Sequence, residues 1–456
     1  EENYASAREH YKKAVKLYKD LVPAYQRLGE IAALEENWRE AKKQFQEVLA
    51  RDRRNMKAHY YLGICYRELG AFKMFLLRRS EWEQAENYFN WVMARDSLYQ
   101  DVIYQFALLQ QDRGLHAEAI ALGHAQIRLR PDLPSAQAGL FKLYGHFIRH
   151  GGAPEALAWL QKQSGDHARY FTGELWRRQG NLQKADSVFN NLLARQPTMS
   201  LQPILLSLAK VHFAQNSAKK AEAYFWRAVD GIQNRTDAEL IFEELKYIVT
   251  DEEWKNYRRL STPAERSVFF RQVWTKRDPT PAAPLNARLA EHYRRWLHAE
   301  KNYAYDLWRN RLDAGDDIAR LRFPRSYLLN KEFNDLGLIY IRHGEPDEQA
   351  TTVAAEQGNM SWRYHRRGDL PEMTFHFYRH PPEQNWRLTP TLDPQLLADR
   401  EDWGAEYYQL LREDNPGRQF SLRSRISEES QTAVETALTT DRHTWEKKIA
   451  PLDMPG

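Results

Sequence analysis

The sequence predicts a mainly α chain: an α-solenoid followed by a smaller α+β module in which a long helix packs on an antiparallel sheet. Three observations predict it. Small and aromatic residues recur with a period of about 34 over the first half, the mark of stacked helical hairpins. That register ends after Trp254, and Pro279, Pro281 and Pro284 then interrupt the helical pattern. Short runs rich in aromatic residues, separated by glycine, proline and acidic clusters, follow. The expected division is 1–260 for the solenoid, 261–395 for the α+β module and 396–456 for a helical C-terminal extension.

The hairpins read in order. Leu28 and Gly29 belong to a first helix, Ala41 and Phe45 to its partner. Leu62, Gly63, Tyr66 and Gly70 restart the pattern, and Ala85 and Phe89 complete it after an extra segment, "AFKMFLLRRSEW", which is expected to lengthen the helix–helix turn. The register returns as Gly114, Ala119 and Pro131, becomes degenerate near Leu140 and Tyr144, and reappears as Gly173, Trp176, Gly180, Ala185, Phe189 and Pro197. A last copy holds Leu208, Ala209, Ala221, Phe225 and Ala228. Each small residue lets one helix approach another, each aromatic fills the space between hairpins, and proline ends the second helix.

Beyond the prolines, residues from Asn286 read as one long helix, because Leu289, Tyr293, Trp296, Leu297, Ala304, Leu307, Trp308 and Leu312 fall mainly at three- and four-residue steps. "LGLIYI", "MSWRYHR", "MTFHFYR" and "NWRLTP" read as strands of a sheet covering that helix. Met360, Trp362 and Tyr364 share one face, as do Met373, Phe375 and Phe377.

The repeat register resembles the tetratricopeptide repeat family over roughly 1–260. Such arrays bind partners on the side lined by the first helix of each pair. Carried over, the register places Lys57, Tyr60, Arg67, Tyr104, Gln111, Lys142, Tyr170, Arg177, Lys210 and Phe213 on that side. The groove so drawn is basic and aromatic, which suits a protein partner with an acidic segment; the alternative is an ordinary solvated face.

"FFRQVWTKRDPTPAAPLN", "EHYRRWLHAEKNYA", "GLIYIRHGEPDE" and "SWRY" together resemble the bacterial GWxTD domain family, over roughly 267–390. Arg277, Asp278, Pro279, Thr280, Pro281, Asn286, Tyr340, Gly344, Pro346 and Asp347 sit on the family pattern, where they read as structural. The motif that names the family is degraded to "NKEFNDLG". The resemblance implies no particular reaction. It implies a bacterial protein, often exported or envelope-associated, hence the periplasm or cell envelope, with the cytoplasm as alternative.

The stretch "IRHGEPD" admits two readings. One resembles the histidine phosphatase motif, with His343 as nucleophile, Arg342 as phosphate clamp, and His376, His380 and Arg387 as candidate helpers. The other is a strand ending in a turn specified by Gly344, Pro346 and Asp347, with His343 at the surface. The meander-like sequence that follows favours the turn. The reading is therefore a non-enzymatic scaffold, with a hydrolase centred on His343, or a glycan-binding protein using some of the 14 tryptophans, as alternatives.

Composition excludes little. Lys and Arg number 66 against 62 Asp and Glu, a balance that does not mark a nucleic-acid binder. The single cysteine, Cys65, forms no internal disulfide or cysteine zinc cluster. Asp313, Asp316 and Asp317 lack calcium-loop spacing, so neither metal nor cofactor is expected. No apolar run approaches the roughly 18 residues that cross a bilayer, so membrane association is expected only through a partner or an unseen anchor.

Overall fold

The computed structural model describes residues 4–71, 75–131, 133–305, 325–352, 358–367, 370–379, 385–389, 400–403, 407, 409, 412–413 and 415–439. The chain divides into two compact units, Glu1–Phe171 and Thr172–Gly456.

The first unit holds α1 (Tyr4–Leu17), α2 (Val22–Leu34), α3 (Trp38–Arg51), α4 (Met56–Ala71), α5 (Phe75–Met93), α6 (Val102–Asp112), α7 (His116–Leu129), α8 (Pro134–His150) and α9 (Ala153–Gln161). The division falls within α10 (Asp166–Arg178). The glycines of the repeat register earn their place sterically. A Cβ on Gly29 would lie 2.7 Å from the Phe45 ring, and one on Gly63 2.5 Å from the Phe89 ring. In the second unit Gly173 stands in the same relation to Phe189, at 2.6 Å. Glycine is thus what lets the wholly buried phenylalanine of the second helix sit against the backbone of the first.

The turns repeat as well. Glu36, Gly114, Gly180 and Asn216 all have positive φ, between 55° and 80°. The next amide of each turn reaches back across a Schellman-type closure: Asn37 to Ala32 O, Leu115 to Gln110 O, Asn181 to Trp176 O and Ser217 to His212 O, at 2.8–2.9 Å. Asn37 and Asn181 then cap the following helix, accepting from Glu40 N and Lys184 N. One expectation is corrected here. The segment after Gly70 does not simply lengthen a turn: α4 runs to Ala71, and α5 starts at Phe75 and is 19 residues long. The extra residues extend the second helix backward, which puts Trp82 over Gly70 with its indole N–H on Arg67 O.

The second unit continues with α11 (Leu182–Ala194), α12 (Gln202–Ala214), α13 (Ala218–Asp230), α14 (Arg235–Leu245), α15 (Asp251–Arg259) and α16 (Pro263–Arg277). Then come α17 (Ala287–Asn302), the single turn α18 (Arg325–Leu329) and α19 (Asp335–His343). One core runs without interruption from Leu205 through Trp274 and Tyr293 to Leu388, across position 260. The helix predicted from Asn286 ends at Asn302; Ala304 instead bridges Phe333, and Leu307, Trp308 and Leu312 lie outside the described residues, as do Asp313, Asp316 and Asp317.

Four antiparallel strands, β1 (Glu348–Ala350), β2 (Gly358–Tyr364), β3 (Met373–Arg379) and β4 (Arg387–Leu388), form a sheet in sequence order. Trp362 pairs with Phe375 and Tyr364 with Met373, so the two predicted apolar faces merge into one. This face meets α19 through Tyr340 and His343, and the end of α17 through Tyr303. Behind the opposite face, Arg400 donates to Ser361, Thr352 and Asn359, and His376 bonds Ser361 and Tyr407. Helix α20 (Pro416–Thr439) lies against β3 and α19.

"LGLIYI" is therefore a helix, not a strand. Asn334 caps α19 by accepting from Gly337 N, and every residue from Asp335 to His343 is buried. A Cβ on Gly337 would press within 2.8 Å of Phe333, so this first turn also needs glycine to pack.

Candidate partner-binding face

The first helices of consecutive hairpins in the first unit, α2, α4 and α6, are tied edge to edge by the side chains that the register turns inward. Lys57 of α4 pairs with Glu30 of α2 at 2.6 Å. Tyr60 hydrogen-bonds Asp101, at the start of α6, and Arg67 reaches Gln105 Oε1 at 2.5 Å, with Asp112 at 3.9 Å and Glu68 alongside. Tyr60 and Arg67 are buried; Lys57, Tyr61, Tyr99 and Tyr104 are half-buried. Gln111 is buried as well, and Lys142, on α8, is exposed. Tyr104 packs beneath Gly139, where a Cβ would come within 2.6 Å of its ring. Tyr170 is buried edge-on to Phe141 and Phe171.

The electrostatics of this face differ from the basic groove expected. Each of Lys57 and Arg67 has a carboxylate partner from the chain itself. Burial, then the Asp101 carboxylate, pushes the Tyr60 hydroxyl far up, and burial followed by Glu30 raises Tyr61 and Tyr99, so all three are neutral donors at pH 7.

In the second unit the corresponding positions are taken up by α17. Arg177 of α10 donates to both Glu300 oxygens at 2.7 and 2.9 Å, and to Glu174 at 2.9 and 3.0 Å. Lys210 of α12 pairs with Glu244 at 2.6 Å and sits 4.5 Å above the Trp296 ring, and Phe213 stacks on Tyr293 at 4.8 Å. Burial raises the carboxyl of Glu300, but Arg177 and Arg178 outweigh it and bring it down to about 2. Thus the inward side of α10 and α12 is occupied by an aromatic and acidic stripe of the same chain, an arrangement the sequence register could not signal.

The residues of the second family pattern serve the fold. Arg277 forks onto Glu253 at 2.7 and 2.8 Å. Asp278 accepts from Thr280 N, in the turn that opens with Pro279. Asn286 caps α17 through Leu289 N and donates to Trp274 O, while its own amide is held by Glu222. Tyr340 stacks on His298 at 4.2 Å. Gly344, at φ 78°, ends α19, and its carbonyl accepts from Tyr364. Pro346 follows in the same turn, and Asp347 accepts from His365 N and Arg367.

His343 is not at the surface. It is 0% exposed, between Tyr364 and Phe375. Arg342, also enclosed, spends its guanidinium on Val249 O and Ser326. His376 is held within the sheet by Ser361 and Tyr407, Arg387 pairs in the ladder between β3 and β4, and His380 lies outside the described residues. Trp82, Trp274, Trp296 and Trp362 are core residues. Among the described residues there is no group of three or more His, Cys, Asp or Glu placed to hold a metal, and no helix long and apolar enough to cross a membrane.

Comparison with known proteins gives three findings. The family model described as tetratricopeptide repeat matches residues 27–73, which run from α2 into the segment after α4. Solved structures with a similar chain include a tetratricopeptide repeat protein from Parabacteroides merdae, 17% identical, covering 53% of this chain and 91% of its own, at a TM-score of 0.30. PilF of Pseudomonas aeruginosa is 15% identical, covers 49% of this chain and 90% of its own, at 0.27; yeast Tom70 is 17% identical, covers 48% and 42%, at 0.26. No curated protein matches the chain. Residues 27–73 thus match the tetratricopeptide repeat, within a mainly α chain whose helices take a tetratricopeptide-like arrangement and whose C-terminal region adds a four-stranded antiparallel sheet.

Proposed function

We propose that this chain is a non-enzymatic protein–protein interaction scaffold that holds a segment of a partner along α2, α4 and α6. The observation that carries the reading is a face of half-buried tyrosines on and beside helices tied to one another by side chains, while the equivalent side of α10 and α12 is filled by α17. Tyrosine suits such a face because it offers large contact area at little rotamer cost. The register alone points to an acidic partner segment; with Lys57 and Arg67 compensated by Glu30 and Glu68, aromatic anchoring takes over that role. The enclosure of His343 and Arg342 supports a scaffold over a phosphatase. The GWxTD-like resemblance of 267–390 supports a bacterial, envelope-associated assembly subunit whose C-terminal module contributes stability and a second contact.

Gentle purification of the native complex, followed by crosslinking and identification of the attached proteins, tests this. Partners crosslinked to the first unit are the expected result. A partner-free monomer, or phosphatase turnover that His343→Ala abolishes, would overturn it.

A further inference from the structure

Asp101 is placed unusually for a helix N-cap. Its side chain accepts no hydrogen bond from the first turn of α6, the ordinary task of aspartate at that position. It turns instead toward α4. One oxygen accepts from the Tyr60 hydroxyl and the other from Gln105 Nε2 at 3.0 Å. Both donors are neutral, so neither pairs the carboxylate with a cation. Gln105, which donates to Asp101, takes Arg67 on its own oxygen. Arg67 is further engaged by Glu68 and Asp112.

An aromatic wall lies beside this charge. Tyr99 is half-buried and meets the Tyr60 ring at 5.7 Å and 69°. The exposed Asp96 accepts a local hydrogen bond from Leu98 N. A carboxylate has about four lone-pair sites, and the two bonds on Asp101 leave acceptor capacity at a half-buried position. Aromatic rings beside a carboxylate that has no ion-pair partner among the described residues are the chemistry that recognises an ammonium or guanidinium group.

We propose that Asp101, with Tyr60 and Tyr99, forms a seat for one lysine or arginine side chain of the partner segment that lies along α2, α4 and α6. The proposal rests on the reading of that face as the partner site and assigns its chemistry. The seat reverses the charge preference that the register of basic side chains suggests.

Selection of a random dodecapeptide phage library on the immobilised full-length chain tests it. The expected peptides share one fixed lysine or arginine. The affinity of the best synthetic peptide falls about tenfold or more on Asp101→Asn, a near-isosteric change that keeps an acceptor for Tyr60. Norleucine in place of the fixed cation weakens binding to the unmodified chain by a similar factor, so the answer does not depend on the variant folding. Peptides that lose binding on Tyr104→Ala but carry no fixed cation, or that ignore Asp101→Asn, would overturn the seat and leave the face standing as partner site. No enrichment over an uncoated surface would overturn both.

Discussion

Glu300→Gln removes one charge from the ion network that seats α17 against α10. Arg177 is 3% exposed at its side chain and lies between two carboxylates, Glu174 and Glu300, with Arg178 also on Glu300 at 2.9 Å. The magnitude follows from the shift of Glu300. Burial alone would raise its carboxyl; the arginines reverse that and bring it from 4.5 to about 2. Its folded pKa lies below its unfolded one, so the stabilisation is fully present above pH 4.5 and is lost as pH falls through about 2. The gap corresponds to about 3 kcal/mol at pH 7. Breaking a buried pair from one side costs a similar about 3–5 kcal/mol. Glutamine keeps one acceptor and Glu174 remains, so the expected loss is about 2–3 kcal/mol, or roughly 4–12 °C in Tm. Denaturant unfolding at pH 7, followed by tryptophan fluorescence, reads this through Trp296, which lies beside Arg177. A change below about 0.5 kcal/mol would refute the claim that this network holds α17 in place.

Further outcomes are expected of the same structure. Gly63→Ala drives a Cβ to 2.5 Å from the Phe89 ring and costs about 1–3 kcal/mol, with part recovered by Phe89→Leu; thermal melts of the single and double variants check it. Burial lowers the His167 imidazole to about 4, against Tyr144 and Phe141, so its contribution is full above pH 6.5 and shrinks as pH falls below that. Between pH 7 and pH 5 the chain is expected to lose about 2 kcal/mol from this residue, and His167→Phe to flatten that part of the stability profile. Asn334→Ala removes the cap of α19 and costs about 1 kcal/mol by the same unfolding assay.

How much of this was legible in the sequence depended on whether a signal was local. Gly29 with Phe45, Gly63 with Phe89 and Gly173 with Phe189 could be paired from spacing alone, because the steric demand recurs within each hairpin. The alternation in "MSWRY" and "MTFHF" survived into paired strands for the same reason. "LGLIYIRH" misled because α19 is enclosed on all sides, and a helix buried all round carries no 3.6-residue period to set against a strand. The usable signal was Asn334, three residues before Gly337, in N-cap position. His343 followed the same error: placed at a strand end it would reach the surface, whereas the last turn of a central helix holds it inside. The register could not say whether a groove position is free or occupied, because the occupant of Arg177, Lys210 and Phe213 comes from a helix more than 70 residues further along the chain than the last of them.

Hydrogen exchange on the full-length chain, alone and within its purified native complex, tests the central claim most directly. Protection that appears on complex formation across α2, α4 and the start of α6, with α10, α12 and α17 equally protected in both states, is the result this account predicts. New protection confined to α10 and α12, with α17 exchanging faster in the complex, would contradict it: the partner would then displace the chain's own helix, and the bound face would lie in the second unit.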